Sequence, residues 1–344
     1  MSERSSQASE PSDKASQKGA PARAKKHAGR SKRKRGDGPL ISVVIPLYNR
    51  EVSIGAAVES VLSQSFKDFE VIVVDDGSSD GGVEIVEAIA DPRIRLLRQP
   101  ENRGANAARN EGVRQARGEI VSFLDSDDLF LPNKLQTVAD VFSRREDLGV
   151  LMDSFRKARP GREETLCRNP MIDDRHDLIR ALFGRRIWKS ASGISVEREL
   201  ALRIGLFDEG LKRRQDLDFL LRAVRAAPAL SISDVTWIKT FTDDSISADL
   251  GGFMPSFLAF WDRHPEYYAD PILRGGFALD LARHAGRRAK RGQFGQLRTD
   301  LSPVARRIGW GATMRALAEG SAGFRRLKRK RRLSGQGLHR PEGR

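Results

Sequence analysis

Cysteine is almost missing from this chain of 344 residues, in which Cys167 is the single example. A lone cysteine excludes an internal disulfide and a metal cluster built from cysteines, and it is typical of proteins in a reducing cytosol. Long apolar runs are missing too, because no segment approaches the ~20 apolar residues that a membrane-spanning helix needs. The first residues also lack the apolar core of a secretory signal. We therefore expect a cytoplasmic protein.

Large apolar side chains are scarce at both ends of the sequence. Residues 1–38 contain 11 Lys/Arg and 4 Asp/Glu, and residues 325–344 contain 9 Lys/Arg and 1 Glu. These two ends account for the whole formal charge of +15, so residues 39–324 are formally neutral. Segments of this composition cannot bury enough apolar surface to offset their ordering entropy. Both ends are therefore predicted to be disordered basic tails.

Two basic runs, at 32–35 and 328–332, indicate what the tails could bind. Near an anionic membrane surface each basic residue contributes about 1 kcal/mol of attraction. This favours a peripheral position at the inner face of the plasma membrane. Nucleic acid would attract the same runs without sequence specificity, and a solubilising role is a third interpretation. Because the body is neutral, we expect no specific nucleic-acid partner, although a binding protein driven by its tails stays an alternative function.

Strand and helix patterns alternate from residue 39 onwards. Short apolar runs at 41–47, 69–74, 94–97 and 120–124 predict strands. Apolar residues between these runs recur at helical spacing, which predicts amphipathic helices. This alternation is typical of βαβ units and of a parallel sheet covered by helices on both faces. The expected fold class is therefore α/β.

Polar residues follow three of the predicted strands at their carboxyl ends. In open α/β sheets, ligands bind in the crevice outside the carboxyl ends of the strands. We therefore expect a nucleotide-sized site at this edge. The residues that follow the first, second and fourth strands are, in that order, Tyr48, Asn49 and Arg50; Asp76; and Asp125, Asp127 and Asp128.

The acidic segment after the fourth strand suggests a metal site. Asp125 and Asp127 lie one residue apart, and two such carboxylates can share Mg²⁺ or Mn²⁺, which would attract a diphosphate. Tyr48 could stack on a heterocyclic base, and Asp76 could accept a hydrogen bond from a ring N–H or a ribose hydroxyl. The alternative is a polar loop in which Asp127 or Asp128 caps the following helix. The residues alone leave both interpretations open.

Asp216 is the candidate for a general base. Leucine and valine side chains after it form an apolar helical stripe, which places Asp216 near the start of a helix. A carboxylate there is favoured by the helix dipole and could take a proton from an acceptor hydroxyl. The alternative is that Asp216 simply caps this helix.

Four segments resemble, in order and spacing, the family 2 glycosyltransferases, a large inverting family. The segments are ISVVIPLYNRE at 41–51, FEVIVVDDGSSD at 69–80, 101–128 through FLDSDD, and GLFDEGL to QDLDFLLRA at 205–223. The resemblance covers residues 41–227. It implies the GT-A Rossmann-like nucleotide-diphospho-sugar transferase fold over residues 39–245, with a nucleotide-binding half at 39–155 and an acceptor half at 156–245. Residues 246–324 are predicted to be a helical extension.

The resemblance also implies roles for several residues. Asp125 and Asp127 resemble the DxD pair, with Asp127 as the direct metal ligand, and Tyr48 and Asp76 resemble residues that contact the base. Asp216 resembles the second residue of the family's Glu-Asp motif, the general base. The implied reaction is one in-line displacement, from a nucleoside-diphosphate sugar to a glycan or lipid-linked acceptor.

One position departs from the family pattern. Gln215 stands where the family often has Glu, which puts the role of that first carboxylate in doubt. Asn102 and Arg109 match a recurrent family stretch and are predicted near the nucleotide; a helix cap and a surface salt bridge are the alternatives. Trp188 lies where the acceptor wall usually starts and could be a sugar platform or a core residue. Pro46, Asn49 and Arg50, at the end of the first strand, complete the predicted donor site.

Two other protein classes share features of this sequence. A sugar nucleotidyltransferase has a similar sheet, but no glycine-rich Arg/Lys phosphate loop follows the first strand. A signalling receiver domain also has a strand that ends in two aspartates, but Asp125 is followed by further acids rather than by an apolar turn.

The helical extension contains a cluster of aromatic residues, namely Phe253, Phe257, Phe260 and Trp261. They are predicted to pack within a helical appendage, although they could also lie on a bilayer surface.

Overall fold

The computed structural model describes residues 38–240 and 250–333. Its first half alternates strands and helices as the sequence predicts. The elements are β1 (Ile41–Leu47), α1 (Ile54–Leu62), β2 (Phe69–Asp75), α2 (Gly82–Glu87), β3 (Ile94–Arg98), α3 (Ala105–Gln115) and β4 (Ile120–Phe123). The four strands pair in parallel in the order β3-β2-β1-β4. This confirms the α/β fold class.

The second half adds strands that run in both directions. Its elements are β5 (Leu129–Phe130), α4 (Lys134–Arg144), β6 (Val150–Arg159), β7 (Arg162–Cys167), α5 (Arg175–Phe183), a 3₁₀ turn (Ala191–Gly193), β8 (Ile194–Glu197), α6 (Arg198–Arg203), α7 (Gln215–Ala226) and β9 (Ala229–Thr240). Within the described ranges the sheet continues past β4 as β8-β6-β9-β5, with β7 paired to β6.

The expectation of a parallel sheet is therefore right only for the first four strands. β8 is antiparallel to both β4 and β6, which makes the whole sheet mixed. The pattern of buried residues along a strand reports which face is buried and not the direction in which the strand runs. The direction of β8 depends on where α5 and the 3₁₀ turn return the chain to the sheet.

Three strand ends meet at one edge of the sheet. Leu47 is in register with Asp75 on β2, and Val44 is in register with Phe123 on β4. The backbone N–H of Leu124 still donates to the Val44 carbonyl (3.0 Å), after which the chain leaves the sheet. The segments that follow β1, β2 and β4 are thus neighbours, as the sequence predicts.

Helices cover both faces of the sheet. One buried cluster joins Val43 and Ile45 of β1 to α1 and α4, and the other joins Val44 to α3, α7 and the helices beyond β9. At Gly112, α3 approaches β1 so closely that a Cβ would lie 2.3 Å from a Val44 methyl. Alternation along β1 therefore divides the core into two layers.

Residues 253–333 form the helical extension. It consists of α8 (Phe253–Arg263), α9 (Glu266–Ala269), α10 (Arg274–Lys290), α11 (Phe294–Ile308) and α12 (Trp310–Leu333). Phe257, Phe260 and Trp261 are buried, so these aromatics pack in the core and the bilayer interpretation is wrong for them. In the described ranges, no helix is both long and apolar enough to cross a membrane. α12 reaches into the predicted second tail; residues 1–37 and 334–344 of the two tails lie outside the described residues.

Candidate active site

Three carboxylates cluster after β4. Oxygens of Asp125, Asp127 and Asp128 all lie within 4.8 Å of one another. The turn that carries them is closed by the Asp128 N–H, which donates to the Asp125 carbonyl (2.9 Å). The predicted alternative of a helix cap is wrong, because the residue at the N-cap of α4 is Asn133. A set of close carboxylate oxygens suits a hard divalent cation such as Mg²⁺ or Mn²⁺.

Asp128 anchors the acidic turn to the rest of the sheet. Its side chain is fully buried, where Oδ2 accepts from Ser192 Oγ (2.6 Å) and Oδ1 from the Thr240 N–H (3.1 Å). Lys239 Nζ lies 3.6 Å from Oδ2. Sequence reasoning missed Lys239, because it lies on β9, far along the chain from the acidic turn. Its neighbour Thr240 and Asp128 are separated by 112 residues.

The acidic cluster carries more negative charge than its surroundings neutralise. Burial raises the pKa of Asp127, and the charge of Asp125 raises it further. Burial also raises the pKa of Asp128 to about 7, although Lys239 acts in the opposite direction. Burial alone would raise the pKa of Asp125 as well, but Arg109 and Lys239 together hold it below its usual range. A cation bound here would relieve the remaining repulsion.

Arg109 links the acidic turn to α3. Its side chain is buried, and Nη2 lies 2.5 Å from Asp125 Oδ1, while Nη1 donates to Asn106 Oδ1 (3.2 Å). The alternative of a salt bridge is therefore correct, except that the bridge is buried rather than on the surface. Because its partner is Asp125, Arg109 fixes the orientation of a predicted site residue.

Asp216 lies in the first turn of α7, as predicted, and faces the same charges. Burial raises its pKa, Arg109 acts against this, and Asp125 raises the pKa further. Among the described residues, nothing donates a hydrogen bond to its buried Oδ1. Gln215 precedes it as the first helical residue. A buried carboxylate oxygen without a donor is uncommon and is typical of a functional group.

The end of β1 lies against the loop after β2. Tyr48 is 45% exposed at this edge, whereas Pro46 is buried within β1. Asn49 has left-handed backbone (φ 50°), and its Oδ1 accepts from the Ser79 N–H (2.8 Å). The charge of Arg50 is close enough to lower the pKa of Asp127, against the larger effect of burial. The structure thus brings Arg50 toward the acidic turn.

Asp76 holds the loop that leads into α3. It is only 2% exposed, and its two oxygens accept from the N–H groups of Arg103 (2.8 Å) and Gly104 (2.7 Å). Asn102, beside this loop, is exposed, and the N-cap of α3 is Gly104 rather than Asn102. The contact of Asp76 with a base and the position of Asn102 near the nucleotide stay predictions; for Asp76 the loop already occupies both oxygens.

Trp188 packs against the sheet at some distance along the chain from these residues. Its half-buried ring meets Phe155 edge to face, with 5.9 Å between the ring centroids, and Lys157 Nζ lies 4.4 Å from the Trp188 centroid. The backbone N–H of Trp188 donates to Asn169 Oδ1 (2.6 Å). These contacts favour the core interpretation, and the sugar platform stays a prediction.

The first half of the chain resembles known proteins. Residues 42–198 match the model of the family described as glycosyl transferase family 2. An uncharacterized glycosyltransferase of Haemophilus influenzae is 29% identical over 186 residues, which are 54% of this chain and 62% of that protein. The Escherichia coli UDP-Glc:alpha-D-GlcNAc-diphosphoundecaprenol beta-1,3-glucosyltransferase WfgD is 42% identical over 100 residues, 29% of this chain and 40% of WfgD. The chain thus spans less than two thirds of the length of these two relatives.

A solved structure extends the likeness to the whole fold. Staphylococcus aureus TarS 1–349 in complex with UDP-GlcNAc has a TM-score of 0.54 and 20% identity, covering 87% of this chain and 93% of that one. The predicted family resemblance and the Rossmann-like GT-A fold with C-terminal helices are confirmed. The family match favours a transferase over the nucleotidyltransferase and receiver interpretations.

Proposed function

We propose that this protein transfers a sugar from a nucleoside-diphosphate donor to an acceptor hydroxyl, because residues 42–198 match the model of glycosyl transferase family 2. The acceptor is a glycan or glycolipid, and the configuration at the anomeric carbon is inverted. One observation carries the proposal: Arg109, which pairs with Asp125 of the acidic turn (2.5 Å), also lies close enough to Asp216 on α7 for their charges to interact. Sugar donor and acceptor hydroxyl would meet between the acidic turn and Asp216.

The acidic turn is the donor side of the proposed site. Asp127 and Asp125 would hold the cation, Mg²⁺ or Mn²⁺, which supplies positive charge beside the departing diphosphate when bound. Tyr48, exposed at the same edge, offers its ring to the base. Arg109 keeps Asp125 in one orientation, so that the donor-side carboxylates are preorganised.

Asp216 is the acceptor side. Its carboxylate takes the proton from the acceptor hydroxyl while that oxygen attacks the anomeric carbon and the nucleoside diphosphate leaves. Burial raises the pKa of Asp216, which makes it a stronger base than an exposed aspartate. Gln215 carries no ionisable group, so the proton falls to Asp216 even without the family's usual Glu.

The relatives suggest classes of substrate. The name of WfgD specifies UDP-glucose and a diphosphoundecaprenol-linked acceptor, and TarS 1–349 was solved with UDP-GlcNAc. We extend to this chain a UDP-sugar donor and a glycan or lipid-linked acceptor of the kind used in cell-surface polysaccharide synthesis. The basic runs at 32–35 and 328–332 suit a cytoplasmic protein held at an anionic membrane surface near such an acceptor.

A panel of UDP-, GDP- and dTDP-sugars with Mn²⁺ tests the proposal, with released nucleoside diphosphate as the readout. We expect slow hydrolysis of at least one donor, lost in Asp127→Ala and after chelation of the metal. Asp234→Ala removes an exposed carboxylate on β9 and is the matched control, expected to hydrolyse like the unmodified protein. The absence of both binding and hydrolysis for every donor in the panel would overturn the proposed function.

A further inference from the structure

Arg214 connects the start of α7 to the helical extension. It directly precedes Gln215 and Asp216, and its backbone is left-handed (φ 65°). Its guanidinium carbon lies 5.0–5.8 Å from the centroids of four rings, a geometry in which the cation is attracted to the ring faces. The four rings belong to Phe253, Phe257, Phe260 and Tyr267.

Asp280 of α10 completes the surroundings of Arg214. Arg214 Nη2 lies 2.8 Å from Asp280 Oδ2, and the Tyr267 hydroxyl donates to the same oxygen (2.5 Å). The side chains of Asp280 and Arg214 are 4% and 10% exposed. Although burial alone raises the pKa of a carboxyl, Arg185 and Arg214 hold the pKa of Asp280 below its usual range.

The second partner of Asp280 has the same unusual backbone. Arg185, which follows α5, places Nε 2.8 Å from Asp280 Oδ1 and also has a positive φ (59°). A residue other than glycine keeps this conformation where its surroundings over-determine it, and such residues concentrate at functional sites. One carboxylate of the extension thus holds two left-handed residues of the transferase body.

Other contacts between α7 and the extension lie after Asp216 along the helix. His264 Nε2 is 3.0 Å from Asp218 Oδ1, and Arg225, in the last turn of α7, pairs with Glu266. The Arg214 contact is the one at the N-cap of α7, on the side of Asp216 from which the helix starts. A small rotation of Arg214 would therefore turn the Asp216 carboxylate directly.

We propose that Arg214 and Asp280 are positioning residues, through which the helical extension orients Asp216 for proton transfer. The inference rests on the proposed function, in which Asp216 is the base. It adds a positioning residue to that function, Asp280, which lies outside the family-matched residues 42–198. The orientation of the base then depends on a part of the chain that the family match does not include.

Arg214→Gly is the main test, since glycine keeps the left-handed backbone without strain and loses the side chain. Arg225→Gly, at the opposite end of the same helix, is the matched control. Hydrolysis of UDP-GlcNAc and UDP-glucose with Mn²⁺ gives kcat and KM. We expect Arg214→Gly to lower kcat by about 10- to 100-fold, with KM for the donor nearly unchanged. Arg214→Lys, which keeps the charge, should restore part of the loss, and Arg225→Gly should keep kcat.

Amide hydrogen exchange adds a readout that needs no turnover. Peptides containing residues 211–220 should exchange faster in Arg214→Gly than in Arg225→Gly, while peptides around Asp125 stay unchanged in both. Equal kcat losses in the two glycine variants, a KM loss that matches the kcat loss, or unchanged exchange at 211–220 would each overturn the inference.

Asp216→Asn separates this inference from the proposed function. If Asp216→Asn turns over normally, Asp216 is not the base and the positioning role fails, while the donor hydrolysis itself still supports sugar transfer. If Asp216→Asn is inactive while Arg214→Gly has normal kcat and normal exchange, the positioning role alone fails. If Asp216→Asn is inactive and Arg214→Gly loses kcat with faster exchange at 211–220, both are supported.

Discussion

The acidic turn after β4 and the buried site around Asp280 use the same side chain in opposite ways. At the turn, burial and mutual repulsion raise the pKa of Asp127 and of Asp128, in spite of Lys239. Around Asp280, two arginines and a tyrosine hydroxyl surround one carboxylate and outweigh its burial. The first site has unneutralised charge available to a ligand, and the second has its charge fully paired.

This difference separates a reactive site from a structural one. Carboxylates whose pKa is raised in a partly open cluster are typical of catalysis and metal binding. A carboxylate with all its partners in place contributes rigidity, and losing one partner is costly. Asp216 belongs to the first class. Arg214, only two residues before it, is a partner of Asp280, which belongs to the second class.

Asp216→Asn should have the largest effect. The amide keeps the shape of the side chain but cannot accept the proton, so turnover should fall by on the order of 10²- to 10⁴-fold. Donor affinity should change little, because the base acts on the acceptor. Initial rates of nucleoside-diphosphate release and donor binding by calorimetry check both. A rate above a tenth of the original would show that another group is the base.

Asp280→Asn should be the most destabilising of these changes. It leaves Arg214 and Arg185 facing a neutral amide, and breaking a buried ion pair costs about 3 kcal/mol or more of unfolding free energy. Because the pKa of Asp280 is lowered by folding, its stabilisation is present above the pKa of an unfolded aspartate and is lost as pH falls through the folded value.

Denaturant unfolding at several pH values measures this loss. The control is Asp262→Asn, which removes an ion pair with Arg307 in which Asp262 is 60% exposed. Such surface pairs are worth about 1 kcal/mol or less. Equal losses in the two variants would remove the contrast between the Asp280 site and an ordinary surface pair.

Mn²⁺ affinity should rise with pH. The raised pKa of Asp127 and the pKa of about 7 for Asp128 mean that a bound cation displaces protons below neutrality. The apparent Kd should therefore increase by up to about tenfold for each pH unit below pH 7. Titrations in two buffers with different ionisation enthalpies measure the released protons directly. A Kd that is constant from about pH 5.5 to pH 7.5 would contradict this expectation.

Asp127→Asn should have the smallest effect and an unusual sign. Without metal, removing one of the repelling carboxylates should stabilise the fold by about 0.5 kcal/mol. With Mn²⁺ present, the unmodified protein should gain stability from binding and the variant should not. Thermal melts with and without Mn²⁺ show whether the order of the two melting temperatures reverses. A variant that melts lower under both conditions would place Asp127 with the structural carboxylates.

Much of the fold and part of the site were predictable because their signals are local. The runs at β1, β2 and β4 and the helical stripes between them repeat over a few residues, and burial imposes those repeats. The same holds for the position of Asp216 in the first turn of α7 and for the spacing of Asp125 and Asp127. The neutral body and basic ends follow directly from composition.

The tertiary structure alone decided which distant side chains meet. Thr240 donates a hydrogen bond to Asp128, 112 residues away in the sequence. Arg109 on α3 pairs with Asp125, and Asp280 in the extension pairs with Arg214. It also decided that β8 enters the sheet antiparallel to β4. Periodicity reports only the face on which a residue is buried. The partner on that face depends on how the elements pack, and so does the choice between an exposed charge and a paired one.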